Sequence, residues 1–117
     1  WRTSFYGMYN RYYSHAGKES WELPKRWRKP HPEMLKVPVN FVSTNDIIGG
    51  NSGSPIINRN MEVVGLIFDG NIESLPGNFI FDKETSRAVS VHTAGMLAAL
   101  KYVYRADRIS SELLEKK

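Results

Sequence analysis

Cysteine is absent from the chain, which excludes disulfides, thiolate metal sites and a cysteine nucleophile. The absence leaves the compartment open, because a protein without thiols survives in oxidising and reducing surroundings alike. Long apolar runs are missing as well. Nothing approaches the ~18 consecutive apolar residues that a membrane-spanning helix needs, so no membrane span is expected. The opening Trp1-Arg2-Thr3-Ser4 leads into mixed aromatic and polar sequence and has no secretory-signal pattern. There is no internal repeat and no low-complexity stretch. Histidine occurs three times, at His15, His31 and His92. Apolar residues at 41% and charged residues at 24% exclude global disorder. A length of 117 residues fits one domain, 1–117, and leaves no room for two lobes of ordinary size.

The net charge of +4 is modest, and much of it lies in Lys25-Arg26-Trp27-Arg28-Lys29. Basic residues around an aromatic could follow a nucleic-acid backbone with Trp27 as a stacking platform. A solvated loop with the Trp27 ring laid on the body is the preferred reading, because the run is short, Pro30 and Pro32 break it, and acidic residues follow along the chain. No nucleic-acid partner is expected.

Residues 1–29 are rich in aromatics. They read as a strand or two near 3–8 followed by irregular packing, with the rings serving as core and loop anchors. Pro30, Pro32 and Pro38 predict an extended connection without regular helix. A β-branched and aromatic run over 37–43 predicts a strand, 55–58 a second and 62–69 a third, the last two joined by a tight turn at Arg59-Asn60. Two further strands are expected at 78–82 and 87–92, which makes the second half antiparallel. From Thr93 the apolar spacing becomes helical, with Met96, Leu97, Leu100, Val103 and Tyr104 on one face and Thr93 as N-cap. A last helical turn over 109–114 would be capped by Asp107.

The feature with chemistry in it is Gly49-Gly50-Asn51-Ser52-Gly53-Ser54-Pro55. A serine that attacks a carbonyl must project from a tight turn, with backbone N–H groups free to face an oxyanion, and glycine permits both the backbone angles and the close approach. The plainer alternative is a glycine-rich turn between two strands. The run resembles the GDSGGP of chymotrypsin-like serine peptidases. That resemblance implies Ser52 as nucleophile, the N–H groups of Gly50 and Ser52 as oxyanion hole, and a mainly β fold: a chymotrypsin-like antiparallel β-barrel half with a C-terminal helix.

A serine hydroxyl needs a histidine base, usually oriented by a carboxylate. In the chymotrypsin-like order both precede the serine by a long stretch, and 51 residues are too few to hold that first barrel. His31 lies between prolines in a basic loop, His92 ends a strand, and His15 has no carboxylate in a recognisable setting nearby. None is expected to be the base. The chain is therefore expected to be the C-terminal part of a larger serine peptidase, inactive when isolated.

Beyond the turn, the chain resembles the C-terminal end of bacterial dipeptidyl peptidases of serine peptidase family forty-six, the group of dipeptidyl peptidases seven and eleven. The resemblance rests on Leu23-Pro24-Lys25-Arg26-Trp27, on the run from Val39 through Ile47, on GGNSGSPIIN, on Val64-Gly65-Leu66-Ile67-Phe68-Asp69-Gly70-Asn71 and on Arg87-Ala88-Val89-Ser90-Val91. His92 departs from it, since an acidic residue is expected there. The resemblance implies a double-barrel parent with a helical insertion, periplasmic or at the surface of a Gram-negative bacterium, that releases N-terminal dipeptides from oligopeptides without a cofactor or metal. A homodimer is the parent assembly to test.

The same resemblance places the specificity pocket at Asp46, Phe68, Gly70 and Asn71. Where acidic residues are preferred, relatives carry arginine at the place of Gly70; glycine implies a neutral pocket and a hydrophobic penultimate residue. Asp46, six residues before Ser52, falls where trypsin keeps its pocket-floor aspartate, and would pair with a basic substrate or hydrogen-bond the loop. Asn51 stands in place of the GDSGGP aspartate, so zymogen activation through an ion pair is not expected; neutral hydrogen bonds to its loop are. Two other classes compete. One is a non-catalytic peptide- or nucleic-acid-binding β-barrel module. The other is a self-contained trypsin-like endopeptidase, which the missing base disfavours.

Overall fold

The computed structural model describes residues 1–115, so the last two residues of the expected 1–117 domain lie outside the described part. The chain divides into two compact units, one of Trp1–Arg2 with Asn40–Thr93, the other of Thr3–Val39 with the segment from Ala94 onward.

Five strands form one sheet: β1 (Arg2–Ser4), β2 (Pro38–Ser43), β3 (Pro55–Ile57), β4 (Val63–Gly70) and β5 (Ala88–His92), in the spatial order β1-β2-β5-β4-β3. The pairs β2·β5, β5·β4 and β4·β3 are antiparallel. Alternation explains the first unit's core. Ile67 on β4 and Ala88 and Ser90 on β5 point inward and are buried, together with Ile56 on β3. The β4·β5 ladder runs Leu66↔Val91, Ile67↔Ser90, Asp69↔Val89, with the register shift falling between Ile67 and Asp69. Phe68 is the extra residue of that bulge. Bulges re-aim side chains, and this one interrupts the strict alternation of β4.

The expected two-residue hairpin at Arg59-Asn60 is longer. Asn58 Oδ1 accepts from the N–H groups of Asn60 (2.9 Å) and Glu62 (3.1 Å), and Met61 takes a left-handed conformation with φ 63°. An Asx turn at Asn58 therefore closes a three-residue loop.

In the second unit, α1 (Phe5–Ser14) replaces most of the strand expected over 3–8. Ser4 caps it, its Oγ accepting from the Gly7 N–H at 3.4 Å. Phe5 and Tyr9, four residues apart, share the buried face and pack with Met34 and Ala98, flanked by Met8, Leu35, Val37 and Val103. The aromatic content suggested a strand; the i, i+4 spacing behind a serine cap decides for helix. Short 3-10 turns at Lys25–Trp27 and Pro32–Met34 sit in the proline-rich connection, which has no α-helix.

Residues 78–82 are not a strand. A 3-10 segment, Ile72–Asn78, occupies the end of the loop, and Phe79, Ile80 and Phe81 follow it with 91%, 71% and 39% of their surfaces exposed. Three β-prone residues imitate a strand, but among the described residues no neighbouring strand pairs with them. The C-terminal helix is present as α2 (Thr93–Ala98), continued by the wider turns of Ala99–Tyr104, and is followed by α3 (Asp107–Leu114). Thr93 does not cap α2 from outside; it is the first helical residue, and its hydroxyl donates to the Val64 carbonyl at 3.2 Å. Asp107 likewise lies inside the first turn of α3, with Ala106 at the cap and no side-chain capping bond.

Candidate active site

The loop from β2 to β3 is wired by its own backbone. The Asn51 N–H donates to Ile48 O (3.2 Å), the Ser54 N–H to Asn51 O (2.9 Å) and the Gly53 N–H to Ile67 O (2.7 Å), while the Ile67 N–H returns to Ser54 O (3.0 Å). Asn51 Oδ1 accepts from the Ile48 N–H at 2.8 Å, a neutral bond within the loop. Gly50 and Gly53 have φ of 98° and 88°, where side chains are strained. These bonds use the N–H groups of Asn51, Gly53 and Ser54. Among the described residues, no acceptor takes the N–H of Gly50 or of Ser52, and Ser52 itself is exposed. Two free donors flanking an exposed serine hydroxyl can hold an oxyanion.

Clamping Gly53 and Ser54 to Ile67 sets the turn beside the bulge of β4. Between them lies a cavity of about 300 Å³. Its lining includes Ser52, Asn51, Ile47, Ile67, Phe68, Asp69, Gly70, Asn71, Ser74 and Leu75. The structure thus brings together Ser52, Phe68, Gly70 and Asn71 of the expected site. Gly50 adjoins them in sequence but is not itself part of the lining, and neither is Asp46, which is exposed. Asp46 is therefore not at the cavity floor as a trypsin-like aspartate would be; its neighbour Ile47 is the residue that reaches the wall.

Asn71 lines the cavity with its amide already occupied. Its Oδ1 accepts from the Arg87 N–H at 2.8 Å, and its Nδ2 donates to Thr85 O at 2.8 Å and to Glu73 Oε2 at 2.7 Å. It fastens the loop to the start of β5. Asp69 and Ser74 were not singled out from the sequence. Asp69 is an exposed carboxylate, Oδ1 accepting from the Gly70 N–H at 2.8 Å; its adjacency to Gly70 on the strand was the available signal. Ser74 Oγ donates to Asn71 O at 2.6 Å. Among the described residues, no lysine, arginine or histidine lines the cavity.

Each histidine is engaged elsewhere. In the first unit His92 lines a separate recess with Trp1, Arg2, Phe41 and Val64, its ring edge-on to Phe41 at 5.4 Å. Burial holds its imidazole below the usual histidine pKa, and Arg2 adds to the effect. In the second unit His15 stacks on Trp21 at 4.4 Å and its Nδ1 lies 2.9 Å from Arg11 O. His31 stacks on Tyr102 at 4.4 Å and accepts from the Glu33 N–H. The basic loop of that unit is also tied down. Trp27 donates from Nε1 to the Tyr104 hydroxyl at 3.3 Å, Arg26 lies over the Tyr104 ring at 5.4 Å, and Arg28 pairs with Glu22 at 3.2 Å. Among the described residues no group of acidic, histidine or cysteine side chains could hold a metal ion, and no helix is long and apolar enough to cross a membrane.

Known proteins share this sequence and this fold. Dipeptidyl-peptidase 7 of Capnocytophaga gingivalis is 35% identical over 95% of the chain. The Asp/Glu-specific dipeptidyl-peptidase of Shewanella putrefaciens is 37% identical over 88%. DPP11 of Porphyromonas endodontalis, crystallised with substrate, superposes on 99% of the chain with a TM-score of 0.82 at 21% identity, which shows a common fold. That fold is a mainly antiparallel sheet with C-terminal helices, consistent with a chymotrypsin-like half-barrel. The chain spans 16% and 15% of the length of the two relatives and 18% of the crystallised protein. With residues 1–115 matching the family described as Peptidase S46, the chain belongs to the S46 peptidases.

Proposed function

We propose that this chain is the serine-bearing C-terminal part of a dipeptidyl peptidase that removes N-terminal dipeptides from oligopeptides. The observation that carries the reading is the exposed Ser52 hydroxyl flanked by the two uncommitted N–H groups of Gly50 and Ser52, at the mouth of a cavity. Ser52 Oγ attacks the carbonyl of the second substrate residue, its proton passing through the base to the leaving amine, and the two N–H groups hold the resulting oxyanion. Collapse releases the shortened peptide and leaves a dipeptidyl ester on Ser52, which water hydrolyses. The base and its carboxylate come from sequence outside this chain. In support, the histidine of the serine's own unit lines a different recess. A periplasmic or surface location fits the Gram-negative sources of the relatives.

The cavity takes the penultimate side chain. Ile47, Ile67, Phe68 and Leu75 give it apolar walls, Gly70 adds no side chain, and no cation is present to hold an acidic group. A hydrophobic penultimate residue is preferred. Overall likeness does not speak to the preference, since the dipeptidyl-peptidase 7 and the Asp/Glu-specific relative are 35% and 37% identical; the lining is what supports it. An enzyme that counts two residues from a free amino terminus also needs a group for the ammonium. Asp69, the one carboxylate lining the cavity, suits that task. The full peptidase containing this chain, assayed on dipeptidyl substrates with Leu, Met, Asp or Glu at the penultimate position, is expected to turn over Leu and Met faster. Faster turnover of Asp or Glu contradicts the preference. The binding-module alternative has less support, because Trp27, Arg26 and Arg28 are engaged within their own unit.

A further inference from the structure

Gly70 is the position that leaves the cavity wall bare, but the space its side chain would use is not empty. A Cβ built there collides with Ser74 Oγ and comes within 3.4 Å of Ile47 Cδ1 and 3.5 Å of Arg87 O. Ser74 is a lining residue of the same cavity and is half-buried. Its hydroxyl is fixed, not loose. It donates to Asn71 O at 2.6 Å, and the Ser74 N–H donates to the same carbonyl at 3.0 Å. Asn71 in turn is fastened to Arg87 and Thr85 through its amide. With its proton committed to Asn71, the hydroxyl offers the cavity no free donor.

We propose that Ser74 is a specificity-determining residue of this site, its hydroxyl filling the place of a side chain at position 70 so that the two positions together set the width of the pocket for the penultimate side chain. The inference rests on the dipeptidyl-peptidase reading. Two consequences follow from the geometry. Any side chain at 70 must first expel Ser74 Oγ and break its bond to Asn71 O. Removing the hydroxyl widens the pocket, admitting bulkier hydrophobic side chains while leaving the pocket neutral.

The test is a double-substitution cycle in the full peptidase, using Gly70→Ala, Ser74→Ala and both together, read as kcat/KM on dipeptidyl substrates with Leu or Phe at the penultimate position. Gly70→Ala is expected to cost about fivefold or more on the Leu substrate when Ser74 is present, the order of one lost hydrogen bond, and clearly less when residue 74 is alanine. Ser74→Ala alone is expected to raise the Phe-to-Leu ratio at least about threefold, a ratio that simple loss of stability does not change. Thermal unfolding of the same four proteins gives a readout independent of activity, in which Gly70→Ala lowers the midpoint more beside Ser74 than beside alanine. Equal costs of Gly70→Ala in both backgrounds, or an unchanged Phe-to-Leu ratio in Ser74→Ala, overturn the proposal while the peptidase reading stands. A wild-type enzyme that releases dipeptides from none of the substrates overturns both.

Discussion

Asn71 shows that where a side chain lies and what it bonds to are separate questions. Its place after Gly70 suggested a pocket residue, and it does line the cavity, but its amide oxygen and nitrogen are both spent on Arg87, Thr85 and Glu73. Sequence shows where a side chain lies along a strand and not which partner sixteen residues away consumes it. Asn71→Ala strands the half-buried Arg87 N–H and is expected to destabilise by about 1–3 kcal/mol, measurable by chemical denaturation, where a purely substrate-facing residue would leave stability unchanged. His92 supplies a second residue-level expectation. Burial lowers its pKa in the folded state, so the unfolded chain binds more protons below about pH 6.5. Stability from this group is complete above that value and is lost as pH falls through the depressed folded pKa. The unfolding midpoint of His92→Gln is expected to fall less than that of wild type between about pH 7.5 and about pH 5.5, ~1 unit either side of the ordinary pKa.

At the scale of elements, the turn at 49–55 and the strands around it were legible because their signals are local: glycines that accept positive φ, and β-branched runs that end where polar turns begin. Gly53 combines φ 88° with a 2.7 Å bond from its N–H to Ile67 O. Gly53→Ala keeps the N–H and strains the backbone, at a cost of about 1–2 kcal/mol. It is expected to lower the unfolding midpoint and the activity of the full peptidase together; unchanged activity would show that the turn geometry is not needed for the chemistry. Two errors share a cause. Residues 5–8 carry Phe5 and Tyr6, and 78–82 carry Phe79, Ile80 and Phe81, yet the first became a helix through its Ser4 cap and the pairing of Phe5 with Tyr9, and the second found no strand to pair with. Strand propensity describes fitness for a pleated surface, and the surface has to exist. The bulge at Phe68, which re-aims the strand beside the cavity, has no sequence signature at all. Ser90 offers a further check, since its buried Oγ has no hydrogen-bond partner among the described residues. Ser90→Ala is expected to leave stability unchanged or raise it, by up to about 1 kcal/mol, in thermal unfolding; a large loss would reveal a partner for the hydroxyl.

For the molecule as a whole, membership of the S46 peptidases and the shared fold account for the antiparallel sheet with its C-terminal helices, while the chain spans less than a fifth of its relatives. The serine turn was readable because its positive-φ glycines leave a local signal in the sequence. The expectation that the base lies elsewhere came from three histidines in settings that do not suggest one. The central claim is that Ser52 is a nucleophile whose base lies outside this chain. An active-site fluorophosphonate probe tests it directly, applied to the isolated chain and to the full peptidase, with intact-mass and peptide mapping as readout. The account predicts negligible labelling of the isolated chain and stoichiometric labelling of the full peptidase at Ser52, abolished by Ser52→Ala. Rapid stoichiometric labelling of the isolated chain at Ser52, lost on His15→Ala, or labelling of the full peptidase at another serine, would contradict it.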